Sequence, residues 1–280
     1  MIIQDHADHL LIIRQTDHAL LAGFFAREWG NEAFSRPEPL ASFRLAAAEH
    51  DNGWQEWERF PQVDLATFSP YTFMSIPTAA HIGIYRRGIE RIVQEDRYAG
   101  LLAAMHASGL YDRARATIPG YSAKYVKSHE TQLVADFVQS LRLQQLRLKV
   151  DLRAVPAARD FVDEKLLQSN LQRLDALDRL SLYFCLAPQE NALIDTVPTD
   201  ERGGEVDWEV RPQADRSVVL KPYPFRRDPL DISILARRIP KRRYSDDSDL
   251  QQTLSVAEYF ALHFTLSAGT TDVRTRAASA

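Results

Sequence analysis

The side chains most able to do chemistry in this chain are His18, the adjacent pair His50-Asp51, and Asp178. Imidazole and carboxylate together suit zinc, iron, manganese and related divalent transition metals. Asp178 sits within Leu177-Asp178-Arg179-Leu180-Ser181-Leu182. A carboxylate in so apolar a stretch is costly to bury unless a cation or a hydrogen-bond network compensates for it. Asp175, three residues earlier on the same helical face, is its rival for that role. His81 and His106 widen the candidate set, since each falls at or near a helix terminus. The competing reading makes the His50-Asp51 pair a helix-end cap, His18 a satisfied core histidine, and His81 and His106 caps. Adjacent His and Asp cannot share one helical face. They converge only where a helix ends, and Asn52-Gly53 supplies that end.

The elements that must position these groups follow from apolar spacing. Helices are expected over 14–29, from Ser42 as N-cap through His50-Asp51, over 78–95, 98–110, 129–149 and 160–186, and again over 248–266. Pro61 to Pro77 reads as an ordered aromatic loop, and Glu95-Asp96-Arg97 as a tight join between antiparallel neighbours. Short β-type runs at 208–210, 217–220 and 232–235 follow Glu190. The patterning predicts a mainly α fold. Residues 1–190 would form a helical metal-binding domain, and 191–268 a strand-and-helix segment packed on it without independence. Residues 269–280 would form a flexible tail.

Composition narrows the function classes. The 280 residues are 45% hydrophobic and 26% charged, enough for a sizeable core under an ordinary soluble surface. A net charge of -4 argues against general nucleic-acid binding. No run approaches the roughly 20 apolar residues of a membrane-spanning helix. Met1 to His6 lacks the basic start and apolar core of a signal peptide. The lone Cys185, inside an apolar run, reads as a core residue and makes no internal disulfide. These features lead us to expect a cytoplasmic protein with a small-molecule substrate; self-association stays open.

The order His18, His50-Asp51, Asp178, each on an expected helix, resembles the HD superfamily of metal-dependent phosphohydrolases over roughly residues 10–190. Glu49-His50-Asp51-Asn52-Gly53 resembles that family's His-Asp-x-Gly core. His81 and His106 fall in the order seen in HD proteins that hold two metals, including certain cyclic-dinucleotide phosphodiesterases and mixed-valent di-iron oxygenases. The resemblance implies an HD-like bundle with one or two ions of iron, manganese or zinc. His18, His50, Asp51 and Asp178 would hold the first, and His81 and His106 would complete a second site with Asp51 bridging. It implies hydrolysis of a phosphate ester, with iron-dependent oxygenation of a small polar substrate as the enzymatic alternative. A non-catalytic sensor or assembly protein is the alternative from another class. Trp54 stands where many HD enzymes carry a lysine. Substrate contacts are therefore expected from Lys124, Lys127 or Arg86, with Trp54 and Trp57 as a pocket wall. No catalytic acid or base is assigned. Across most of its length, including Gln15-Thr16-Asp17-His18, the chain also resembles DUF3891, a family of uncharacterised bacterial proteins, which brings no activity with it.

Overall fold

A computed structural model describes residues 1–111, 131–186 and 190–269. The chain opens as a hairpin of two short strands, β1 (Ile2–Asp5) and β2 (His9–Ile13), with Ile3 opposite Ile12. Three helices follow: α1 (Gln15–Glu28), α2 (Leu40–Glu49) and the short α3 (Trp54–Arg59). A small ribbon, β3 (Val63–Asp64) and β4 (Ser69–Pro70), fills the aromatic loop. The helical run then resumes with α4 (Thr78–Glu95), α5 (Arg97–Gly109), α6 (Thr131–Ala154) and α7 (Glu164–Leu186). The chain continues through β5 (Ala192–Pro198), β6 (Glu205–Pro212), β7 (Ser217–Lys221), β8 (Leu230–Pro240), α8 (Asp247–Val256) and β9 (Tyr259–Ser267).

Seven of these strands form one curled sheet in the order β1-β2-β8-β9-β7-β6-β5, antiparallel except at β7–β9. At 51% helix and 22% strand the chain is an α/β fold, which corrects the mainly α, all-helical expectation. Two physical causes account for the difference. The N-terminal strands are too short to show a periodicity distinct from that of a buried helix segment. Residues 259–267, expected to continue the last helix, instead alternate in period two, sending Phe260, Leu262, Phe264 and Leu266 toward the core. They pair with β8 from Arg237↔Tyr259 to Leu230↔Leu266.

The main core lies between the sheet and the helices. Helices α1 and α7 pack directly against strands, α2 packs on α1, α5 on α2, and α4 and α6 on α5. Trp29, the C-cap of α1, meets Trp208 of β6 and Phe225 at ring separations of 5.6 and 6.4 Å, anchoring the helical layer to the sheet. Alternation along β2 sends Ile13 into that core. Leu10 and Ile12 point to a second cluster, with Met1, Ile239, Leu250 and Leu254, beneath α8. Cys185 is buried, as its apolar context predicts. Ser42 lies within the first turn of α2, which begins at Leu40. Its hydroxyl donates to Asp96 Oδ2 at 2.6 Å, and Asp96 in turn caps α5 by accepting from the Ala99 N–H at 2.8 Å. Among the described residues, no helix is long and apolar enough to cross a membrane.

Candidate metal centre

Four helices or helix ends converge at one buried point. His18 comes from the first turns of α1, His50 and Asp51 from the end of α2, His106 from the last turn of α5, and Asp178 from the middle of α7. They are 1, 3, 4, 4 and 7% exposed, so their charges must be balanced inside the protein. Helix α2 stops because the backbone turns through Asp51-Asn52-Gly53, and the Trp54 N–H closes that turn onto the Asp51 carbonyl at 3.0 Å. Gly53 is required by proximity and not by dihedral angle: a Cβ there would lie 2.0 Å from the Ile84 carbonyl oxygen of α4.

His18 Nε2 lies 3.3 Å from His50 Nε2, 3.2 Å from Asp178 Oδ1 and 3.4 Å from Asp51 Oδ2. His50 Nε2 lies 3.5 Å from Asp178 Oδ1 and 3.8 Å from Asp51 Oδ2. Donors held about 2.1 Å from a shared ion, at angles between right and tetrahedral, stand about 3.0–3.4 Å apart. The His18–His50, His18–Asp178 and His18–Asp51 separations fall at or within that range, and the two from His50 to the carboxylates exceed it by a few tenths of an ångström at most. The donors fall into two overlapping groups, His18-His50-Asp51 and His50-His106-Asp178, each within 4.8 Å.

The outer hydrogen bonds fix the imidazole tautomers. His50 Nδ1–H donates to the Ala47 carbonyl at 3.0 Å, and His106 Nδ1–H donates to Asp175 Oδ1 at 2.7 Å. Ser181 gives its only hydroxyl proton to the Asp178 carbonyl at 2.8 Å, so at 2.7 Å it accepts from His18 Nδ1–H. Every Nδ1 therefore carries a proton, and the Nε2 lone pairs of His18 and His50 face each other. Such an arrangement needs a cation or an added proton between the rings. Asp51 is clamped at both oxygens: Tyr85 Oη donates to Oδ1 at 2.8 Å and Gln15 Nε2 to Oδ2 at 3.3 Å.

Burial, the largest influence on each group, opposes charge, yet the cluster outweighs it. Asp51 and Asp178 push His50 up to about 9, and hydrogen bonds to the same carboxylates raise His18. The imidazoles in turn lower Asp51 and hold Asp178 well below the usual carboxylate range. In metal-stripped protein, protons thus stand where an ion would. A raised histidine contributes stability that is complete below its unfolded value near 6.5 and is lost as pH rises through about 9. The melting temperature of stripped protein should fall across that window, and a bound ion should abolish the fall. Identical slopes with and without metal would count against the ion.

Of the six expected ligands, the structure brings together His18, His50, Asp51, His106 and Asp178. His81 belongs to neither donor group. It hydrogen-bonds through Nδ1 to the Tyr111 hydroxyl, in an aromatic setting with Trp54 and Tyr85 at ring separations of 5.7 and 4.8 Å. Trp54 is wholly buried, and Trp57 is half-buried against Tyr71. Arg86 is exposed and lies over the Phe137 ring. Lys124, Lys127 and residues 270–280 lie outside the described residues. Asp175, weighed against Asp178, serves by orienting His106. Sequence reasoning missed Gln15, Tyr85 and Ser181. Gln15 and Ser181 left a signal, each lying three residues along the helix from a ligand, His18 and Asp178.

Fold and site define an α/β protein with a buried His/Asp centre assembled where four helical segments meet. The chain belongs to DUF3891, a family of proteins of unknown function, whose family model matches residues 1–241. No curated protein and no solved structure matches it.

Proposed function

We propose that this protein is a metal-dependent enzyme that hydrolyses a small phosphate ester at a zinc, manganese or iron ion held by His18, His50, Asp51 and Asp178. The observation that carries it is the pair of opposed Nε2 lone pairs, each backed by an engaged Nδ1–H, facing two buried carboxylates. Metal-ligating histidines are oriented by outer partners in this way, and the all-nitrogen-and-oxygen donor set suits those ions. When bound, the ion would acidify water and polarise a substrate oxygen. His106, oriented by Asp175, presents Nε2 3.9 Å from Asp178 Oδ2, where it could accept a proton. The chain order of the four ligands is that of the HD superfamily, and a distant relation to it belongs to this proposal, as does a cytoplasmic location. The oxygenase alternative draws less support, because the full six-ligand set that favoured it lacks His81, which belongs to neither donor group. Nothing in the proposal depends on Lys124 or Lys127.

The deciding measurement is the elemental content of protein purified without added metal, followed by turnover of a panel of phosphate monoesters and diesters. Metal together with ester turnover is expected. A metal-free protein that takes up none on incubation would end the proposal; bound metal without turnover would end its hydrolytic half. A narrower test uses the outer hydrogen bonds. Ser181→Ala leaves His18 Nδ1–H without its acceptor, and metal affinity should fall about 10–100-fold by calorimetric titration.

A further inference from the structure

We infer that the centre holds a single ion, and that Tyr85 is the positioning residue for its Asp51 ligand. This rests on the metal-centre reading above and concerns how many ions the residues can serve. A dinuclear centre needs a bridging carboxylate and separate donors for each ion. Asp51, the candidate bridge, presents Oδ2 to His18 and His50, while its Oδ1 accepts the Tyr85 hydroxyl at 2.8 Å. One of the two lone pairs of Oδ1 is thus engaged by a buried phenol. The Tyr85 ring also packs edge-on against His81, with centroids 4.8 Å apart, which fixes the phenol beside Asp51.

The other donor group offers no independent site. It shares His50 with the first, and an imidazole whose Nδ1–H is committed to the Ala47 carbonyl has one lone pair for one ion. Without His50, a second ion there would keep only His106 and Asp178 Oδ2 among the described residues. Two side-chain donors fall short of the three or four that hold transition ions in proteins. The five converging side chains therefore serve one ion, with His106 at its margin.

The test measures ions per chain after reconstitution of the full chain with excess Mn²⁺ or Zn²⁺ and removal of unbound metal. The wild type should hold one. Tyr85→Phe keeps the ring but frees Asp51 Oδ1; it should still hold one ion, with an altered Mn²⁺ electron paramagnetic resonance spectrum as the carboxylate changes its mode of binding. Two ions in the wild type would overturn the inference, as would an unchanged spectrum in Tyr85→Phe. The wild-type count and the Tyr85→Phe spectrum together decide. No ion in the wild type would instead remove the metal-centre reading itself.

Discussion

Asp178→Asn should abolish metal retention while the protein stays folded. The substitution keeps the shape of the side chain but removes the charge that faces His18 at 3.2 Å and His50 at 3.5 Å. Outer-partner losses cost about 10–100-fold in metal affinity, so loss of a charged ligand should exceed about 100-fold. Elemental analysis of the purified variant should find almost no ion, and circular dichroism should show wild-type helix content. The contrasting result is informative. If the centre were only an imidazole–carboxylate network, the same change would leave the protonated histidines buried with one facing carboxylate, Asp51, in place of two. That would destabilise the fold by the several kcal/mol typical of breaking a buried pair. A strongly lowered melting temperature in protein that never held metal would favour the network.

The second large effect is expected at Gly53. Asn52-Gly53 and Gly88 mark where the backbone leaving α2 presses on α4. A Cβ at 53 would stand 2.0 Å from the Ile84 carbonyl oxygen, and one at 88 would stand 2.9 Å from the Gly53 nitrogen. Both obstacles are main chain and cannot swing aside. Gly53→Ala should therefore cost about 3 kcal/mol, the upper range for overpacking, read from denaturant melts. It should also weaken metal binding, because the displaced turn carries His50 and Asp51. A loss below about 0.5 kcal/mol, the scale of ordinary surface substitutions, would show that the two helices are not held at this distance.

How much of this was legible in the residues differs between layers. The ligand helices declare themselves by period, and His18, His50-Asp51 and Asp178 could be grouped because buried carboxylates and histidines on apolar faces need partners. The choice between Asp175 and Asp178 could not be made from spacing. Both lie on one face of α7, and only the position of α5 decides that Asp175 meets His106 Nδ1. His81 shows the same limit: a histidine opening a helix is indistinguishable by spacing from a ligand, and here Tyr85 and Tyr111 surround it. The sheet was harder still. Its edge is built from four- and five-residue strands at one end of the chain, whose partner lies at the other. No local pattern encodes that pairing.

That pairing also bears on the order in which the molecule can be made. Strand β2 leads through a single residue, Arg14, into the helix that carries His18, yet its inner neighbour in the sheet is β8, with Leu10 opposite Ile239. A chain emerging from the ribosome completes all the ligand-bearing helices long before it completes the strand that seats the first of them. Contacts so distant in sequence slow folding, since loop closure must precede any gain from them. Until residues 230–240 are synthesised, the nascent helical half exposes an unpaired, apolar β2 edge, the type of surface that recruits chaperones or self-associates.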